Sequence, residues 1–374
     1  MRSLAPLRVL LAGGGSGGSA TPVLAVASAL RRRGRCVEFL YIGTEHGPER
    51  SLAMAHDVPF VAVAAGKLRR YWDWRNLTDP ARVVLGVVQS LVHVRRFKPH
   101  VAFTAGGFGG LAPLVAARAL GVPLVVHQQD VVPGLANRLL APVARRVTVT
   151  FRESLPRFPA DRTVVTGNPV RPEVLHGDPS RAFARFGFET DVPLVLVTGG
   201  GTGAAALNEV VALAAPRLVR SCSVLHLTGR GKSVTAPSLD RYRQVEFLVE
   251  EMPDVLAAAE VVVSRAGLGT LTELAVLGKP MVLVPMPRSH QEANAAAFDR
   301  ADAAVVLRQD QLTPDRLAET VERLLEDRDR RAALAANARR LMPDNAADLV
   351  ADAVEEAAMA ATFRPEEGRR RAGR

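Results

Sequence analysis

Twice along this chain a short run of branched apolar residues breaks off into a cluster of glycines, and a helix-like stretch follows. Leu7–Ala12 runs into Gly13-Gly14-Gly15-Ser16-Gly17-Gly18, after which Pro22 opens an amphipathic stretch over residues 23–33. Leu194–Thr198 runs into Gly199-Gly200-Gly201-Thr202-Gly203, and residues 204–220 again have the composition of a helix. Apolar runs of this length, bounded by turns, read as strands buried on both faces. Further runs of the kind lie at 37–42, 101–104, 124–127, 147–150, 224–228, 261–264 and 281–284. Strands alternating with helices require parallel sheets covered on both sides. Because each half repeats the scheme, the fold class expected is α/β, with two Rossmann-like domains.

The length fits this, since 374 residues correspond to two domains at roughly 100–200 residues each. The expected division is an N-terminal domain over 1–170, a linker over 171–192 and a second domain over 193–345. A C-terminal helix over 346–363 returns to the first domain, and 364–374 form a disordered basic tail. Two cysteines, Cys36 and Cys222, exclude a disulfide scaffold and fit a reducing compartment. No apolar run approaches the roughly 20 residues of a membrane-spanning helix, and the first ten residues lack a signal-peptide layout. The formal net charge of +10 points toward acidic partners. Only four of the 48 basic residues are lysines, a pattern that coding bias explains. With 5% aromatics, the stacking platforms of an RNA-binding module are missing, so no nucleic-acid partner is expected.

Glycine loops between a strand and a helix bring backbone N–H groups to a helix N-terminus, where they can bind phosphate. Four such segments lie at 13–18, 106–110, 199–203 and 267–269. The first contains G-x-G-x-x-G, yet the acid a dinucleotide site needs after the second strand is absent, the chain reading Tyr41-Ile42-Gly43-Thr44 there. No Walker sequence occurs. Asp327-Arg328-Asp329 imitates an Asp-x-Asp metal motif but lies in an Arg-rich helical stretch and reads as a solvated face.

The order of the motifs is specific. Gly13–Ser19 with Thr21-Pro22 is followed by Gly106-Gly107-Phe108, His127-Gln128-Gln129-Asp130 and Pro133-Gly134-Leu135-Ala136-Asn137. Then come Gly167-Asn168-Pro169-Val170-Arg171, the loop 199–204, Arg265-Ala266-Gly267 through Thr272-Glu273, and His290-Gln291 with Asn294-Ala295. From residue 8 to about 349 the chain resembles the MurG-type glycosyltransferases of family 28, which complete the lipid-linked disaccharide-peptide precursor of bacterial peptidoglycan. The resemblance implies a GT-B fold with its active site in the cleft between two Rossmann-like domains. It implies inverting transfer of N-acetylglucosamine from UDP-N-acetylglucosamine to undecaprenyl-diphospho-muramoylpentapeptide, with no cofactor and no metal. It places the protein at the cytoplasmic face of the membrane.

By the same resemblance the second domain holds the donor. Glu273 takes the ribose hydroxyls, Val249 sits by the uracil and Gln291 bonds sugar hydroxyls. Arg171 offers a cationic fork to phosphate, its plainer role being an interdomain ion pair. Gly201 and Thr202, and Leu268, Gly269 and Thr270, open helices toward the diphosphate. Ser16, Gly17, Gly18, Gly106, Gly107 and Asp130 belong to the acceptor side. Three departures stand out: Ser19 replaces the family's histidine, Gln128 and Asp130 replace a Glu and an Asn, and Gly201 replaces a Ser. Asp130 then becomes a candidate base, or caps a helix; Ser19 and His127 complete the candidate catalytic set. Lys67 to Arg75 gathers both tryptophans, and Arg69, Arg70, Tyr71, Trp72 and Trp74 suit an anionic membrane surface. The stretch 83–91 reads as a helix packed on the first sheet. A related transferase with another acceptor, or an inactive UDP-sugar-binding homologue, are the competing functions.

Overall fold

The computed structural model describes residues 6–15, 17–66, 75–201, 203–236 and 238–362. They divide into two units. The first takes the chain up to Gln129, then Pro133–Thr166, and again from Ala347 on; the second takes Asp130–Val132 and Gly167–Ala346.

The first unit is built on seven parallel strands: β1 (Leu7–Ala12), β2 (Val37–Gly43), β3 (Phe60–Ala62), β4 (Val101–Thr104), β5 (Leu124–Gln128), β6 (Arg146–Val149) and β7 (Thr163–Val165). Their order is β3-β2-β1-β4-β5-β6-β7, so the strand order reverses between β1 and β4, where open α/β sheets bind ligands. Its helices are α1 (Gly17–Arg32), α2 (Glu49–Ala55), α3 (Arg75–Phe97), α4 (Leu111–Ala119) and α5 (Leu135–Leu140). Alternate side chains of a strand face opposite ways. Val9, Leu11, Phe39, Val101 and Phe103 therefore enter one core with α1, while Leu10, Ile42, Ala102 and Leu124 enter another with Val94 of α3 and Leu114 of α4.

The second unit repeats the plan with six parallel strands: β8 (Leu194–Thr198), β9 (Ser223–Leu227), β10 (Tyr242–Val245), β11 (Ala259–Ser264), β12 (Met281–Leu283) and β13 (Val305–Val306), in the order β10-β9-β8-β11-β12-β13. Its helices are α6 (Pro179–Phe186), α7 (Ala205–Leu218), α8 (Met252–Ala258), α9 (Leu268–Leu277), α10 (His290–Arg300), α11 (Pro314–Glu326) and α12 (Arg328–Leu341). One core packs Val195, Val197, Val224, Val261 and Val263 against α7, α11 and α12.

The last helix, α13 (Ala346–Thr362), lies in the first unit's core through Val350, Ala351, Val354, Ala357 and Ala358. Arg33, beyond the end of α1, reaches its Asp352 and Glu355 at 2.7 Å each. The join expected after residue 170 falls at Thr166–Gly167 instead. Gly167 turns with φ +76° against Pro343, where a Cβ would come within 2.8 Å, so the segment after it is already bound into the second unit. The expected linker also carries a helix. Asp178 caps α6 by accepting from the Ser180 N–H, Gly187 ends it in the left-handed region, and Arg181 pairs with Asp254 at 2.8 Å. Of the stretch 83–91, only part of one face is covered: Val87 and Leu91 pack on the core, whereas Val84, Leu85 and Val88 are exposed.

Candidate active site

In the first unit, the loops after β1 and β4 meet at the carboxyl ends of their strands. Gly107 adopts φ +83°, and a Cβ there would lie 2.4 Å from the Gly14 carbonyl oxygen and 2.9 Å from Ser19 Oγ. Only glycine allows both the turn and the contact. The end of β5 closes the same region. Gln129 donates Nε2 to the Ala105 carbonyl at 3.0 Å, and Asn137 donates Nδ2 to the His127 carbonyl at 2.9 Å and to Gln128 Oε1 at 2.7 Å. Gly17 and Gly18 open α1, and Gly106 and Gly107 line the second loop. Ser16 is outside the described residues.

Two members of the expected catalytic set are buried. His127 is 0% exposed, its Nδ1 2.9 Å from Thr148 Oγ1, and Ser19 is 5% exposed beneath the two loops. The His127 ring is thus a support for neighbouring strands rather than a base that a substrate can reach. Asp130 corrects the reading in another way. It caps none of the described helices and groups with the second unit rather than the acceptor-side domain. Its Oδ1 accepts from Asn294 Nδ2 at 2.8 Å, while the buried Asn294 also donates to the Ala266 carbonyl at 3.2 Å and accepts from the Val131 N–H at 3.1 Å.

The sequence reading missed Glu49, which opens α2 and is 0% exposed. Its carboxylate accepts from the N–H groups of Thr44 at 2.9 Å and Gly15 at 3.3 Å. Tyr41 lies nearby. Burial, and secondly the Glu49 charge, raise its phenol well above the ordinary range. The Tyr41 hydroxyl has no hydrogen-bond partner among the described residues.

In the second unit, the loop after β8 and the first turn of α9 meet: a Cβ on Gly200 would lie 4.0 Å from Thr270 Oγ1. Neither α7 nor α9 has a side-chain cap at its amino end, so their first N–H groups remain available to an anion. Gly201 and Gly269 face open space. Leu268 is buried, so only its backbone can serve. Thr202 lies outside the described residues.

One turn further along α9, Glu273 meets Arg171. The guanidinium donates Nη2 at 2.7 Å and Nε at 3.1 Å, both to Oε1. Burial raises the Glu273 carboxyl above the ordinary value, and Arg171 partly offsets this. Both residues belong to the second unit, so the pair is not an interdomain one. The approach of residue 171 is fixed by Asn168, which donates Nδ2 to Thr272 Oγ1 at 2.8 Å.

Val249 is 61% exposed, close in sequence to Phe247, whose ring lies 5.0 Å from the Arg230 guanidinium carbon. Gln291, in the first turn of α10, accepts from the Met286 N–H at 3.0 Å. Arg265 is buried with no carboxylate partner among the described residues. It donates Nη1 to the Val284 carbonyl at 3.0 Å, and burial lowers its pKa. Asp327, Arg328 and Asp329 are exposed, and Asp327 caps α12 by accepting from the Arg330 N–H at 2.8 Å.

Two family models match the chain: the glycosyltransferase family 28 N-terminal domain over residues 9–149, and its C-terminal domain over 194–354. The UDP-N-acetylglucosamine–N-acetylmuramyl-(pentapeptide) pyrophosphoryl-undecaprenol N-acetylglucosamine transferase 2 of Bacillus anthracis is 37% identical over 322 residues, 85% of this chain and 91% of the relative. A transferase of Clostridium kluyveri described in the same words, without the number, is 38% identical over 324 residues, with coverage again 85% and 91%. Among solved structures, MurG of Acinetobacter baumannii aligns with a TM-score of 0.72 and 27% identity, covering 94% of this chain and all of that one.

Proposed function

This chain belongs to glycosyltransferase family 28, and we propose that it transfers N-acetylglucosamine from UDP-N-acetylglucosamine to undecaprenyl-diphospho-muramoylpentapeptide. It is a GT-B glycosyltransferase with two Rossmann-like units, and the reaction inverts the sugar's anomeric centre. The acceptor's 4-hydroxyl attacks C1, the bond from C1 to the diphosphate oxygen breaks, and UDP leaves.

The observation that carries this reading is the meeting of the glycine loop before α7 with the first turn of α9, two helices without side-chain caps at their amino ends, one turn of α9 from the Arg171–Glu273 pair. Backbone dipoles aimed at the leaving diphosphate stabilise the charge that grows there. Glu273 takes the ribose hydroxyls, Val249 sits by the uracil and contacts it through its backbone groups, and Gln291 bonds the sugar. Gly17, Gly18, Gly106 and Gly107 hold the acceptor's diphosphate. With Ser19 and His127 buried, Asp130 is the remaining candidate to accept the proton of the attacking hydroxyl.

No helix among the described residues is long and apolar enough to cross a membrane. Val84, Val88 and Val92 form an exposed ridge along α3 at helical spacing, with Arg82, Arg95 and Arg96 on the same helix. Apolar side chains flanked by arginines suit peripheral binding to an anionic bilayer, and we take the cytoplasmic face, which the family resemblance implies, as the side bound. The expected membrane residues Arg69, Arg70, Tyr71, Trp72 and Trp74 lie outside the described residues. Incubation with labelled UDP-N-acetylglucosamine and a short-chain lipid acceptor tests the function. The disaccharide lipid is the expected product; a different glycoside, or binding without turnover, refutes the reading.

A further inference from the structure

Glu49 lies six residues beyond β2, at the start of α2, and it faces inward. The carboxylate lies under the first glycine loop, fully buried. Oε1 accepts both the N–H and the hydroxyl of Thr44, and Oε2 accepts the Gly15 N–H. Glycines make room for it. A Cβ on Gly14 would lie 2.1 Å from Oε1, and one on Gly47 would lie 1.9 Å from Oε2. A carboxyl group buried this deeply needs hydrogen-bond partners, and here the donors come from the loop and from the residue that follows β2.

We propose that Glu49 is the positioning residue of the acceptor site: its carboxylate pins the Gly13–Gly15 turn and so sets the direction of the loop and of α1 behind it. The inference rests on the reading that this loop faces the acceptor's diphosphate. Its effect extends to the second loop, because Gly107 packs on the Gly14 carbonyl. The same arrangement leaves Glu49 unable to serve a ribose, since the carboxylate is fully buried under the protein's own loop. Nucleotide recognition then falls to the second unit.

Glu49→Gln in the full chain tests this. A glutamine keeps the shape but puts an NH2 donor in place of one carboxylate oxygen, so either Thr44 or Gly15 then faces a donor instead of an acceptor. The expected result is a rise of about tenfold or more in KM for the lipid acceptor, because small misplacements of a positioning group have effects of this size. KM for UDP-N-acetylglucosamine and the calorimetric affinity for UDP should stay level. A folded variant whose acceptor KM matches the parent's overturns the proposal. If the glutamine variant does not fold, Thr44→Val replaces it, removing one donor from the same carboxylate. It should raise acceptor KM and leave donor KM level; an equal rise in both, or no rise, overturns the proposal. The parent's own turnover is the control. If the parent makes no disaccharide lipid, the functional reading fails by itself, and amide exchange decides the role of Glu49. Faster exchange confined to residues 13–15 in Glu49→Gln then supports it, and unchanged exchange overturns it.

Discussion

Arg171 directs both of its hydrogen bonds to Glu273 at one oxygen, Oε1. The carboxylate is thereby divided: Oε1 is held by the cation, and Oε2 is left for another donor. A ribose hydroxyl on Oε2 would gain a charge-assisted bond without displacing Arg171. Glu273→Ala should weaken UDP binding by roughly 1.5–3 kcal/mol. Calorimetric titration measures it, and an unchanged affinity in a folded variant removes Glu273 from the donor site.

The same carboxyl has a raised pKa, burial being the larger cause and Arg171 the partial offset. The folded chain therefore holds a proton on Glu273 at pH values where the unfolded chain has released it. Its contribution to stability is greatest below about 4.5, the ordinary glutamate value, and is lost as pH rises through the raised value. UDP binding runs the other way, because the ribose needs the ionised form. On acidification, UDP affinity should start to fall above pH 4.5, and Glu273→Gln should abolish that dependence. A parent whose affinity stays level down to 4.5 contradicts the assignment.

Tyr41 gives a prediction with the opposite sign to most core substitutions. Its hydroxyl is buried without a partner among the described residues, which costs about 1–3 kcal/mol relative to solvent. Tyr41→Phe should leave stability unchanged or raise it by about 1 kcal/mol. Thermal unfolding decides the matter; a clear loss of stability would mean that the hydroxyl has a partner.

Much of this architecture is legible in the sequence, and what is missed is either short, as β3, β7 and β13 are at two or three residues each, or without an apolar run. The strands Val101–Thr104 and Leu194–Thr198 have the bounds expected of them, because a fully buried parallel strand is an uninterrupted apolar run. The four strands the sequence does not disclose are β3, β7, β10 and β13, and these are the four sheet edges. An edge strand is covered on fewer sides, so Tyr242–Val245 can read Tyr-Arg-Gln-Val and carry no apolar run. Glu49 escapes for a different reason. Its partners are mainly backbone N–H groups, and no residue type marks those in a sequence. Asp130 is legible as a departure, but its attachment to Asn294, far along the chain, is not.

Asp130 is the test of proton transfer. If it is the base, Asp130→Asn keeps an acceptor for Asn294 Nδ2 and loses only the basicity. Turnover should then fall about 100- to 10,000-fold with UDP affinity unchanged. The combination with Ser19→His should restore part of the rate if an imidazole there can act. Full activity in the single variant would end the assignment.

The α3 ridge predicts a separable membrane defect. Val84→Ser, Val88→Ser and Val92→Ser together change exposed side chains only, so the fold should survive. Co-sedimentation with anionic vesicles should drop several-fold, as expected when apolar area and its flanking charge act together. The titration with UDP should be unaffected. Sedimentation equal to the parent's would assign the ridge to a different partner.

The course of α13 bears on how the molecule is made. Its Val350, Ala351, Val354, Ala357 and Ala358 complete a core begun by Val9 and Leu11, so the first unit draws on both extremes of the described chain. Domains usually fold in the order in which they leave the ribosome. Here the unit that begins first has to finish last. The nascent first sheet has α1 on the side of this core but lacks the α13 part of its cover while the second unit, contiguous from Gly167 to Ala346 apart from one short segment, is synthesised. Apolar surface left open in that interval is of the kind that makes partly folded chains prone to aggregate.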